Sequence, residues 1–343
     1  MTDVSYSRNT KFDVSNLNQL SIALHKEDLI MRHFFRVIVI LAFISSASSL
    51  AIGNCEPSIW GSDDEIGNAN LISPQSVLKA SRLIKSGKTY SLGLVVDANT
   101  PAYPPRGLSL QIVQPGQQFG RKEITGGTYN DDVFQGWFGI GSQIDGLGHV
   151  GNDRGIFYNC TPGKDFADIK GLTKFGIEKI PPIVSRGIVL DMARYFDVSN
   201  MELGQSFTVE DLRAVEVSQG TMIQEGDVVL FHTGWTDAHF EANPAIWGSG
   251  SPGIDVHIAR YLAKRKVIAV GADTFSVEAV PAAVGGPSFP AHGVLLQENG
   301  IYILEAMNTG PLVRDDAFEF LFVLGQAKIR GAVQMIINPV AIR

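Results

Sequence analysis

The sequence predicts an α/β fold: a single compact domain with a mixed β-sheet and flanking helices. Three observations support this. Apolar runs of strand length alternate with stretches of helical spacing. Two of those runs, Arg186–Asp191 and Val267–Asp273, end in a carboxylate, and the carboxyl ends of such strands are where α/β proteins place chemistry. The composition is globular: 45% of the 343 residues are apolar and only 18% are charged, whereas disordered chains are far more polar. That length suggests one or two domains with ample material for a large core.

Residues 1–30 are polar, show no sustained period and read as an N-terminal extension. Met31-Arg-His-Phe-Phe-Arg36 is then a basic patch, followed by the apolar run Val37 to Ile44 and the small residues Ser45 to Ala51. Residues 31–53 therefore read as a signal peptide or signal-anchor, if Met31 is the true start. The apolar run is shorter than the roughly 20 residues of a membrane span. This pattern points to the secretory route or to membrane anchoring; without it the chain stays in the cytoplasm. Cys55 and Cys160 are the only cysteines. They are too few for a four-thiolate zinc site and can form one bridge where the compartment is oxidising.

Residues 54–343 form the folded domain, with neither an internal repeat nor a low-complexity linker. Ser73-Pro-Gln-Ser76 leads into an amphipathic helix, Val77 to Lys85, stopped by Gly87. Tyr90 to Val96 reads as a strand. Pro101, Pro104 and Pro105 open an irregular, glycine-rich stretch that runs to about Asn130. Arg186–Asp191 is a short apolar strand. Thr208-Val-Glu-Asp211 begins a helix with a capping-box pattern. Asp227–Thr233 is a buried strand, Asp255–Arg265 is helical and Val267–Asp273 is a third apolar strand. Ala317–Gly325, with three phenylalanines, is a further strand.

The chemistry concentrates in two segments. Gly139-Ile-Gly-Ser-Gln-Ile-Asp-Gly-Leu-Gly-His149 interleaves Gln143, Asp145 and His149 with glycines. Gln143 and Asp145 are two apart, so in extended backbone they point to the same side. His149 returns to that side if the chain turns after Asp145. The second segment is His292-Gly-Val-Leu-Leu-Gln-Glu-Asn-Gly-Ile-Tyr-Ile-Leu-Glu305. Asn299-Gly300 is a helix stop, leaving about two helical turns, roughly 10 Å long. Ile301 to Glu305 has strand character and spans roughly 13 Å. A strand running back along that helix brings Glu305 close to His292. An imidazole and a carboxylate converging in this way suit a divalent metal, with Asp145 as a third ligand.

On these residues the chain resembles the cyclase-like metal hydrolases, which include bacterial-type kynurenine formamidases and isatin hydrolases. The resemblance runs from about Asn68 to the C-terminus. It rests on Gly-Ser-Gln-Ile-Asp-Gly-Leu-Gly-His149, Arg186–Asp191, His232-Thr-Gly-Trp235, Gly271-Ala-Asp273 and the His292…Glu305 segment. It implies a swivelling β/β/α domain and a metal held by Asp145, His292 and Glu305. It also implies His149 as general acid/base and a dimer or tetramer of identical chains. The family signature His-x-Gly-Thr-His-x-Asp-x-x-x-His departs here at its first two histidines, which fall on Gly139 and Gln143. One metal per chain is the simpler expectation, with Gln143 as fourth ligand or water-holder. A mostly oxygen donor set shifts preference from zinc towards manganese, with zinc the other candidate.

Other side chains are less decided. Asp273 is either substrate-facing or a structural cap. His232 and Trp235 could line the pocket, although a strand histidine is more often a satisfied core residue. Trp137, Phe138 and Tyr158 flank the glycine-rich segment and form either an aromatic wall or ordinary packing. His239 and His257 read as solvated. The resemblance implies metal-assisted hydrolysis of an amide in a small aromatic substrate, an aryl formamide first and a cyclic amide or lactone second. The competing reading is a non-catalytic binding protein that has lost its metal. Nucleic acid is excluded as a partner, since a chain of net charge −7 with no Lys/Arg block lacks clustered cations. No Gly-x-Gly-x-x-Gly stands at a predicted strand–helix turn, and there is neither a P-loop nor a Gly-x-Ser-x-Gly elbow.

Overall fold

Alternation of apolar strands with capped helices produces the predicted mixed α/β architecture. The computed structural model describes residues 55–113, 130–282 and 289–343; the predicted extension and leader lie outside these residues. Nine strands make the main sheet: β1 (Thr89–Ser91), β2 (Gln143–Asp145), β3 (Ile183–Asp191), β4 (Val228–His232), β5 (Ala269–Ala272), β6 (Tyr302–Glu305), β7 (Glu319–Leu324), β8 (Gln334–Ile336) and β9 (Val340–Ile342). Their order across the sheet is β1-β9-β7-β3-β4-β5-β6-β2-β8. The four central strands β3, β4, β5 and β6 are parallel, and every other pairing is antiparallel.

The parallel strands are buried along their length, which explains their unbroken apolar runs. Each is joined to the next by a helix-containing crossover. Between β3 and β4 lies α2 (Val209–Gln219), where Thr208 and Asp211 close a capping box at one end and Gly220, with φ of 66°, caps the other. Between β4 and β5 lies α3 (Val256–Lys264), capped by Asp255, whose carboxylate accepts from the backbone N–H groups of His257 and Ile258. Between β5 and β6 the helical segment Pro290–His292 continues as a π-helix, Gly293–Glu298. Gly300 ends it with φ of 62°, and β6 runs back as expected. Ahead of the sheet, α1 (Pro74–Ser81) starts at a Ser73–Ser76 capping box.

Two expectations need correction. The predicted strand at Tyr90–Val96 is only Thr89–Ser91, because after Ser91 the chain turns to bond the Asn338 side chain and Ser142 instead of a ladder. The stretch read as irregular contains a strand, Leu108–Val113, which pairs with Asp131–Gly136 as a separate ribbon. Most of both strands is solvent-exposed, and the alternation of Leu108, Leu110 and Ile112 with Ser109 and Gln111 is the signal the reading passed over. Among the described residues, no helix is long and apolar enough to cross a membrane.

The register at one side of the sheet matters most. β2 lies between β6 and β8, with Asp145 opposite Ile303 and Gln334, and Gln143 opposite Glu305 and Ile336. Alternation therefore puts Gln143, Asp145, Glu305 and Gln334 on one face. Ile144, Leu304 and Met335 point to the other face and are almost fully buried. These apolar residues lock the register that aligns the polar ones, since a one-residue slip would exchange the faces. Leu304→Ala should destabilise the protein by roughly 2–5 kcal/mol, read as a shifted denaturation midpoint at unchanged m-value.

Candidate metal centre

Glu305 ends β6, Asp145 ends β2, and His292 projects from the helix entering the π-helix. The three side chains are buried, and one potential ligand atom from each lies within 4.8 Å of the others. His292 Nε2 is 3.3 Å from Glu305 Oε1 and 3.8 Å from Asp145 Oδ2. Ligand atoms about 2.1 Å from a shared cation sit roughly 3–3.5 Å apart, close to the spacing seen.

Hydrogen bonding aims the donors. Asp145 Oδ1 accepts from the Gln334 amide at 2.6 Å and, more weakly, from Gln143 at 3.5 Å. The Gln143 amide also donates to Glu305 at 2.5 Å. Asp145 Oδ2 is buried with no hydrogen-bond partner among the described residues. Such an atom is costly, and a cation among the three side chains would satisfy it. On the far side of the imidazole, His292 Nδ1 lies 2.5 Å from Glu278 Oε1. The Glu278 carboxylate also accepts from the backbone N–H groups of Ala291 and His292. This carboxylate–histidine pairing fixes the ring with Nε2 facing the cluster. The segment holding these groups is strained: Val277, Phe289 and Ala306 all adopt left-handed backbone, with φ of 61°, 56° and 52°. For a β-branched residue such as Val277 this is a marked outlier, at about 1–3 kcal/mol per residue.

The electrostatics follow from burying three carboxylates around one imidazole. Burial opposes the charge on His292, but its hydrogen bonds to Glu278 and Glu305 outweigh that and raise it to about 10. Glu305 is pushed up to about 7, first by burial and then by the neighbouring Asp145 charge. His149 stands at the open side, its Nε2 3.9 Å from Asp145 Oδ2 and its side chain 21% exposed. Burial lowers its pKa, partly opposed by Asp145, which favours a neutral ring.

A narrow cleft leads to Gln143 and Glu305, lined also by Tyr103, Arg106, Trp247 and Phe275. Tyr103 stacks on Phe275 at 6.2 Å, Trp247 tilts against Phe275 at 5.8 Å and Phe289 meets the edge of both Tyr103 and His292. This aromatic strip is not the one read from the sequence. Trp137 is 51% exposed on the ribbon, and Phe138 stacks on Phe134. The Tyr158 hydroxyl donates to Ser58 or Asp64. Trp235 is buried and bonded to the Trp247 carbonyl. His232 Nδ1 lies 2.8 Å from the Thr309 hydroxyl and 3.5 Å from Asp273 Oδ2. Asp273 Oδ1 accepts from the Thr233 backbone and hydroxyl, while its buried Oδ2 has no hydrogen-bond partner among the described residues. His257 is exposed as expected; His239 packs against Trp235 at 4.4 Å. Sequence reading passed over Glu278, Gln334, Arg106 and the Tyr103–Trp247–Phe275 wall.

Comparisons with known proteins agree with this fold. The Cyclase family model matches residues 90–279. A crystal structure of a novel cyclase superposes with a TM-score of 0.75 at 28% identity, covering 83% of this chain and 98% of that one. Isatin hydrolase A from Labrenzia aggregata, bound to benzyl benzoate, shares the fold with a TM-score of 0.56 at 19% identity, covering 76% and 94%. The isatin hydrolase A of Ralstonia solanacearum gives the same score and identity over 75% and 92%. No curated protein matches the sequence.

Three outcomes are expected. A cation displaces the proton from His292 and, up to about pH 7, from Glu305 as well. Uptake near neutral pH should therefore release between one and two protons and strengthen at least roughly tenfold per pH unit, measured by titration calorimetry in buffers of different ionisation enthalpy. Both raised pKa values make the metal-free fold weaken as pH rises, through about 7 for Glu305 and about 10 for His292. The Tm of chelator-treated protein should therefore fall between about pH 6 and pH 9, and less so when a cation is bound. Glu278→Gln should weaken metal binding roughly 10- to 100-fold.

Proposed function

This chain belongs to the cyclase family, and from that premise we propose that it is a divalent-metal-dependent hydrolase of a carbon–nitrogen amide bond in a small aromatic substrate, an aryl formamide such as N-formylkynurenine. The observation that carries this reading is the buried Asp145–His292–Glu305 cluster, whose unpartnered carboxylate oxygen faces a histidine at the open side. Asp145, His292 and Glu305 would hold the cation, with Gln143 bridging the two carboxylates from beside it. Two carboxylates and one imidazole favour manganese, with zinc second. A cation bound there acidifies water and polarises a carbonyl oxygen.

The chain's own residues do the rest. His149 is held towards the neutral form by its surroundings, so its Nε2 takes a proton from the attacking water. The same atom returns that proton to the leaving nitrogen as the amide bond breaks, giving free amine and formate. The aromatic strip Tyr103–Phe275–Trp247 holds a planar ring beside the cluster. A lost-metal binding protein has no use for an unpartnered, buried carboxylate oxygen at such a cost. Cyclic amides such as isatin fit the same chemistry, and parallel assays of both substrates separate the two.

Residues 31–53 as a signal or anchor belong to the same proposal. Neither cysteine is a free thiol, which supports passage through an oxidising compartment. A dimer or tetramer is also proposed. The ribbon exposes Leu110, Ile112, Val133, Phe134 and Trp137, and sedimentation at a monomer mass would exclude this part. For the chemistry, His149→Ala should retain its metal by elemental analysis while kcat falls roughly 100- to 10,000-fold. Unchanged kcat would remove His149 from the mechanism.

A further inference from the structure

One cation in the cleft has no role in the chemistry above. Arg106 lines it between the aromatic strip and the Gln143–Glu305 end. Its guanidinium donates from Nη1 to the Gly139 carbonyl at 2.9 Å. Among the described residues it forms no ion pair, whereas Arg186, Arg194, Arg260 and Arg314 are each matched to a carboxylate. Its position is built in. A Cβ at residue 139 would lie 2.7 Å from Arg106 Nη1, 2.9 Å from Cζ and 2.6 Å from Gln334 Oε1, so a larger residue at 139 would push the guanidinium and the Gln334 amide out of these positions. Its charge is felt by both Glu305 and His149.

We propose that Arg106 is a specificity-determining residue that captures a carboxylate on the substrate, so that the cleft takes aromatic amides bearing an anionic group close to the scissile bond. A guanidinium presents several donors in a fixed plane and pairs with a carboxylate through parallel bonds. With Nη1 anchored on Gly139, the rest of that fork is held in place at little entropic cost. The neighbouring rings of Tyr103 and Phe275, with buried Trp247 packed against Phe275, take the ring to which the carboxylate is attached, while the amide reaches the cluster. With the carboxylate held on the guanidinium, the amide is the end of the substrate left to reach the cluster. This inference rests on the hydrolase reading for its substrate class, but the binding of the anion does not depend on turnover.

The test compares 2-formamidobenzoate with formanilide, which differ only by the carboxylate, alongside calorimetric binding of benzoate and benzamide to the full-length protein. Wild type should prefer 2-formamidobenzoate in kcat/KM by about 10- to 100-fold, chiefly through KM, and should bind benzoate more tightly than benzamide. Arg106→Gln and, independently, Gly139→Ala should bring both ratios close to one; Arg106→Lys should recover part of each. Equal use of the two substrates by wild type, or ratios unmoved in both variants with melting curves intact, overturns the proposal and leaves the hydrolase reading standing. Arg106-dependent benzoate binding without hydrolysis of either compound sustains the anion site and overturns the hydrolase reading instead.

Discussion

Three carboxylates and a single imidazole share one buried pocket, and the need to balance that charge governs the rest of the structure. Asp145, Glu278 and Glu305 are each nearly inaccessible. Only His292 among the described residues sits between them as a charge of opposite sign, and it sits there only when protonated. Burying unpaired charge is expensive, and a protein either neutralises it with protons or supplies a cation. The raised values of His292 and Glu305 are the proton solution. Asp145 Oδ2 has no hydrogen-bond partner among the described residues, and a cation held by the three side chains would satisfy it.

This constraint is imposed by backbone that has little freedom to relax. Asp145 and Glu305 are fixed by strand register, which the apolar face of Ile144, Leu304 and Met335 holds in place. His292 is fixed by a helix start in which Glu278 grips both the ring and the backbone. The left-handed residues Val277, Phe289 and Ala306 lie beside these groups, so strain is concentrated where the donors converge. Packing elsewhere in the large apolar core offsets that cost, and the donors are aligned before any ligand arrives.

The sequence revealed the architecture and half of the site, for physical reasons that differ by residue. Parallel strands buried on both faces read as apolar runs, and the capping residues Ser73, Thr208 and Asp255 mark helix starts by local chemistry. His292 and Glu305 were legible because a helix and strand of known rise must fold back on each other. Gln143 and Asp145 were legible because alternation in extended backbone puts them on one side. Glu278 could not be found in this way. It reaches His292 across a stretch of 14 residues, through backbone that depends on an improbable left-handed valine. Gln334 lies 189 positions from Asp145, and nothing local announces that pairing. The aromatic residues beside the cleft were not legible for the same reason: Trp137 and Phe138 are neighbours of the glycine-rich segment in sequence, whereas Tyr103, Trp247 and Phe275 line the cleft with Gly139 and Gln143.

The most direct measurement is the metal content of the protein purified without added metal or chelator, determined by inductively coupled plasma mass spectrometry against protein concentration. One divalent transition-metal ion per chain, lost together with the Asp145 carboxylate in Asp145→Asn, is the result expected. A wild-type protein that carries no such ion, and takes none up when manganese or zinc is supplied, would contradict the claim that this pocket is built around a cation.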